Sequence, residues 1–120
     1  MKISNTIAGV AIGCAVALGA CASSFQPTVA QIDRGGVTPA ALSVKPARDV
    51  EFVNRDARPH QIYSNDCGEL SSTVIQPGEK YDATVGLGPK LCHFQDLLNP
   101  GASAYRGTVA VGGGILDWAP

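Results

Sequence analysis

The chain has 120 residues, of which 9 are Lys or Arg and 10 are Asp or Glu, for a formal net charge of −1; 45% are hydrophobic. A near-neutral balance with no basic patch or charge run argues against nucleic acid as a partner, because phosphate binding needs clustered cations. The length fits one hydrophobic core and one domain, and no internal repeat is present.

Residues 1–20 begin with the positive Lys2 and continue from Ile7 to Ala20 without a charge, through Val10, Ile12, Val16 and Leu18. This is the pattern of a secretory signal peptide, and the apolar stretch is short of the roughly 20 residues a spanning helix needs. It ends in Leu18-Gly19-Ala20-Cys21, which resembles the lipobox of bacterial lipoproteins. The resemblance implies lipidation of Cys21, attachment to a membrane through acyl chains, and a location in the cell envelope facing the periplasm or the exterior. Ala22 stands where an aspartate often retains lipoproteins in the inner membrane, which favours the outer one in a cell with two.

Residues 21–36, with Ser23, Ser24, Pro27, Gln31 and Gly35-Gly36, have little periodicity and are expected to form a tether. From there the chain reads as short strands separated by turn formers, with no helical stripe. Seven strands are predicted, at residues 41–44, 50–53, 60–64, 73–75, 80–85, 90–95 and 107–111, with Pro77-Gly78 and Gly86-Leu87-Gly88-Pro89 among the turns. Leu97-Leu98-Asn99 has room for one helical turn. Regular short strands of this kind predict an all-β sandwich, with the domain at 37–111 and a tail at 112–120.

Of four cysteines, Cys14 leaves with the signal and Cys21 is expected to carry lipid. Cys67 and Cys92 then remain in a domain facing an oxidising compartment, where two thiols usually pair. A bridge at this separation is worth roughly 3 kcal/mol in the chain-entropy model.

Several segments resemble plastocyanin- and azurin-type cupredoxin domains. Residues 37–46, then Asp49-Val50-Glu51-Phe52-Val53-Asn54-Arg55-Asp56 and Pro59-His60-Gln61-Ile62, are similar to the first half of that family. Asp96, Asn99-Pro100 and Gly107-Thr108-Val109-Ala110-Val111 are similar to its closing loop and final strand. The resemblance implies a cupredoxin-like Greek-key β-sandwich over residues 37–111. One departure is the turn Pro46-Ala47-Arg48-Asp49, where relatives commonly have Pro-Gly-Asp.

Blue copper needs two imidazoles, a thiolate and a weak axial ligand. His60 matches the family's first histidine. The usual closing loop supplies a cysteine, a histidine about three residues later and often a methionine just before the final strand. Here Cys92 is followed by Phe94-Gln95-Asp96, no later histidine occurs, and the one methionine is Met1. In relatives whose loop runs Tyr-His-Asp-His, Gln95 and Leu97 fall where the two histidines sit, and Leu97 cannot bind a metal. His60, Cys92, His93 and Gln95 are the remaining candidate ligands. However, Cys92 and His93 are neighbours in a strand and point to opposite faces, while Phe94 marks the Cys92 face as inward.

Asp66, Glu69 and Asp96 are expected to be solvated loop carboxylates, since no nucleophile accompanies them. Gly112-Gly113-Gly114 lacks the following helix of a phosphate-binding loop, and Trp118 could pack on the domain or face a partner. The expectation is a lipid-anchored cupredoxin-like domain, not an enzyme, with no cofactor, acting as a binding or structural module. The alternative is a copper-binding electron-transfer or copper-handling protein using His60 with Cys92, His93 or Gln95.

Overall fold

A computed structural model describes residues 27–113. The signal segment, Cys21 and Trp118 lie outside the described residues. Among the described residues, eight strands form two four-stranded sheets, accompanied by one 3-10 turn. In chain order the strands are β1 (Thr28–Asp33), β2 (Gly36–Thr38), β3 (Ala41–Val44), β4 (Asp49–Asn54), β5 (Ile62–Ser64), β6 (Lys80–Thr84), β7 (Lys90–Asp96) and β8 (Gly107–Val111). One sheet has the order β2-β1-β4-β6 and the other β3-β8-β7-β5. Among the described residues no helix is long and apolar enough to cross a membrane.

Alternation builds the core. On β4, Val50, Phe52 and Asn54 point inward; on β7, Cys92, Phe94 and Asp96 do. Phe52 of one sheet meets Phe94 of the other edge-to-face at 5.2 Å between ring centroids, so the two inner faces interlock through aromatic side chains. Ile32, Val50, Leu70, Val85 and Val109 fill the remaining space and are fully or almost fully buried.

The predicted tether is corrected in its second half, from Thr28 onwards. Thr28–Asp33 is a strand whose Ala30 and Ile32 are completely buried, and it pairs in parallel with β4 from Thr28↔Val50 to Ile32↔Asn54. Its partner lies some twenty residues further along the chain, so local periodicity carried little of the signal. The domain therefore starts at β1, before residue 37. Conversely, the predicted strand at 73–75 is not one. That segment meets the β5 side through the isolated bridges His60↔Ile75 and Tyr63↔Ser71, and Ser72 Oγ accepts the Ile62 N–H at 2.9 Å in place of a ladder carbonyl. Leu97 and Leu98 form a turn closed by the Asn99 N–H donating to the Asp96 carbonyl, and the 3-10 turn lies later, at Ser103–Tyr105.

Strand directions define two ends. β1 and β4 run towards the end that carries the β4–β5 loop and the β7–β8 connection, the closing end. At the opposite end lie Thr28, the loop 45–48, the loop 85–89 and Gly112, held together where Val85 N–H donates to the Arg48 carbonyl and Gly112 N–H to the Val44 carbonyl, both at 3.0 Å.

Candidate functional site

The closing end holds a buried polar cluster around His60, whose ring has no solvent exposure. Its Nε2 lies 2.8 Å from Asp56 Oδ2 and its Nδ1 2.5 Å from Asp96 Oδ2, so carboxylates stand on opposite edges of one imidazole. Both ring nitrogens are thus engaged by carboxylate oxygens.

Each member is fixed by its own backbone context. Asn54, the last residue of β4, accepts the Asp56 N–H on Oδ1 and donates from Nδ2 to the Arg58 and Ile75 carbonyls, which folds the loop so that Asp56 turns inward. His60 is held by mutual backbone hydrogen bonds with Ile75. Asp96 comes from the inward face of β7, two residues after Phe94. Its Oδ1 accepts the N–H groups of Gln61 and Leu98, and its Oδ2 accepts Asn99 Nδ2 at 2.7 Å. Tyr105 lays its ring 4.8 Å from the His60 ring, shares its hydroxyl hydrogen between the carbonyls of Asp33 and Arg34, and accepts from Arg58 Nη2.

The electrostatics follow this geometry. Burial pushes the Asp96 carboxyl up, but hydrogen bonds from His60, Gln61, Asn99 and Leu98 outweigh it and leave the group below its ordinary value. The Asp56 carboxyl is lowered chiefly by His60, against a desolvation cost, with help from the Ala57 N–H and the Arg58 guanidinium. A buried histidine and two buried carboxylates thus form one hydrogen-bonded unit, with Tyr105 against the ring and joined to Asp56 through Arg58.

The four candidate ligands are not brought together. Cys92 is bonded to Cys67, with Cα atoms 5.5 Å apart, so its sulfur is no longer a thiolate. This bridge ties the chain after β5 to the neighbouring strand β7 and does not link the two sheets, because Cys67 packs against the sheet that contains Cys92. His93 lies on the outer face, as strand alternation requires, and pairs with Asp66 through both its N–H and its Nδ1. Gln95 is also on that face, opposite Tyr63. The outer face carries an open groove of about 360 Å³ lined by Tyr63, Asn65, Asp66, His93, Gln95 and Arg106. The Asp66 carboxyl is held far below its ordinary value, first by the His93 ring, then by the His93 N–H and the Ser64 hydroxyl.

A blue copper centre does not fit these residues. It requires converging imidazoles and a thiolate, whereas both nitrogens of His60 are engaged by carboxylates, the Cys92 sulfur is in a disulfide, and His93 faces away. Among the described residues no three His, Cys, Asp or Glu side chains are placed to hold a metal ion.

The expectation that Asp96 is a solvated loop carboxylate is overturned: it is 1% exposed. The signal was available, because residues 92, 94 and 96 share a face of one strand and Phe94 marks that face as inward. Asp56 and Tyr105 carried no comparable mark, although Tyr105 precedes the final strand where relatives often have a methionine.

No family model and no curated protein sequence matches the chain. Solved structures do. An oxidised amicyanin mutant is 24% identical at a TM-score of 0.62, covering 71% of this chain and 81% of that one. A second oxidised amicyanin mutant is 23% identical at 0.63, covering 72% and 82%. A purple cupredoxin from Nitrosopumilus maritimus is 19% identical at 0.61, covering 71% of this chain and 99% of that one. The chain has a cupredoxin-like β-sandwich fold.

Proposed function

We propose that this chain is a cell-envelope module, anchored by lipid on Cys21, in which a cupredoxin-like fold serves binding or structure and not catalysis or electron transfer. One observation carries the reading: the histidine at the family's metal position has both ring nitrogens engaged by Asp56 and Asp96, carboxylates that are themselves held by further hydrogen bonds. A metal entering there has to displace a buried carboxylate from the ring and leave it unpaired, which is costly. The Cys67–Cys92 disulfide supports the same reading, since it removes the thiolate that gives a blue site its colour and its fast redox chemistry.

Copper titration of the oxidised protein tests this. The expected result is no intense visible absorption and no saturable Cu(II) binding that depends on His60. Intense charge-transfer bands, or a tight colourless complex lost in His60→Ala, would establish the copper-handling alternative that the cupredoxin neighbours favour.

A further inference from the structure

Chain direction places an apolar loop where the anchor enters the domain. β1 begins at Thr28, and Thr28 pairs with Val50, at the end opposite His60. The same end carries the loop Gly86-Leu87-Gly88-Pro89, packed against the 45–48 loop where the Ala47 N–H donates to the Gly86 carbonyl. Leu87 at its tip is 74% exposed, more than any other large hydrophobic side chain among the described residues. Leu91 is half-exposed on the outer face of β7 near its start. Glycine stands on both sides of Leu87 in the sequence. Past β8 the chain leaves from this end too, after Gly112, and its sequence then runs through Ile115, Leu116 and Trp118, apolar and interfacial residue types.

Only Ala22 to Pro27 separate Cys21 from β1. Six residues span about 20 Å fully extended and about 13 Å as a flexible coil, less than the length of the β-sandwich itself at roughly 3.3 Å per strand residue. A tether that short does not let the domain turn over freely, so the end where the tether enters stays next to the lipid.

We propose that this end is a bilayer-contacting surface, with Leu87 seated among the lipid headgroups and acyl boundary and the His60 end directed away from the membrane. The proposal rests on the anchoring of Cys21 and adds an orientation to it. It also gives Leu87 and the exposed pair Leu97 and Leu98 different roles, because Leu97 and Leu98 lie at the closing end and remain in water.

The test uses the mature lipidated protein in phosphatidylcholine–phosphatidylglycerol vesicles, with an environment-sensitive NBD label on Leu87→Cys or, separately, on Leu98→Cys. Both side chains are exposed enough for the exchange to leave folding intact. The expected result is a blue-shifted NBD emission at position 87, quenched by headgroup-proximal nitroxide lipid, and a water-like emission at position 98. Water-like emission at both positions overturns the proposal, as does burial at 98 in place of 87. A blue shift at 87 without lipid quenching overturns it as well, because the loop is then covered by protein. Intact mass separates the two layers of argument. Acyl mass on Cys21 with a water-like label at 87 refutes the orientation alone, whereas no acyl mass on Cys21 refutes the anchor itself.

Discussion

Asp96 Oδ2 stands 2.5 Å from His60 Nδ1, and the two residues are 1% and 0% exposed. One comes from the end of β7 and the other from the loop after β4, so their contact ties the β4–β5 loop to β7 at the closing end. A buried charged group is tolerable only when its hydrogen-bonding capacity is filled, and Asp96 fills it with four donors.

Removing that carboxylate should therefore cost far more than an ordinary surface change. Asp96→Ala strips the acceptor from His60, Asn99 and two backbone N–H groups at once, and breaking a buried pair in this way typically costs about 3–5 kcal/mol. Urea unfolding of Asp96→Ala beside the unaltered protein measures it; a loss below about 1 kcal/mol would show that water replaces the carboxylate freely.

The fold was legible where residues alternate over a few positions, and illegible where pairing is distant. β3, β4, β6, β7 and β8 lie close to their predicted positions because each carries an inward apolar row and ends at turn formers. β1 was missed because its pairing with β4 is set by residues far along the chain. The disulfide was legible from the cysteine count together with the expected compartment. The His60 cluster was half legible: alternation on β7 placed Cys92, His93 and Phe94 correctly, but Asp96 was judged by its charge and not by its face. Asp56 depends on a loop conformation set by the Asn54 side chain, which no spacing rule encodes.

Acid should weaken the protein through a small set of carboxylates. Asp56 and Asp96 have folded-state values below their ordinary ones, and Glu69 falls from 4.5 to about 2, held first by Lys90 and then by the Glu69 and Gly86 N–H groups. A depressed folded value means that the unfolded chain takes up protons first. The stabilisation is therefore complete above the unfolded value, about 4.5 for Glu69, and is lost as pH falls towards the folded one. Melting temperature should stay level from pH 7 to about 5 and drop below about 4.5. Glu69→Gln should lower stability at neutral pH and make the acid decline shallower; an unchanged acid slope would remove Glu69 from the account.

The Cys67–Cys92 bridge should be inert in the folded protein and valuable to it. The two residues are 3% and 0% exposed, so a reductant reaches the sulfurs only through unfolding. Thiol labelling with reductant present should track the unfolding transition in urea, and full reduction should raise the mass by two hydrogens. Replacing both cysteines by serine should lower stability by about 2–5 kcal/mol. Rapid labelling in native buffer would mean that this part of the sandwich opens locally.

The turn at Ala47 offers a stabilising change. Ala47 has φ of 63°, in the left-handed region, where a Cβ crowds the backbone at a cost of roughly 1–2 kcal/mol. Glycine adopts such a conformation without that cost, although it gives up about 0.5–1 kcal/mol in unfolded-state entropy. The Ala47 N–H bonds to the Gly86 carbonyl at 3.3 Å, so the conformation is tied to the neighbouring loop and does not relax away. Ala47→Gly should therefore raise stability by up to about 1 kcal/mol, a direction opposite to that of most alanine-to-glycine changes. Paired thermal and urea melts decide it; a clear destabilisation would mean that the loop leaves the left-handed region in solution.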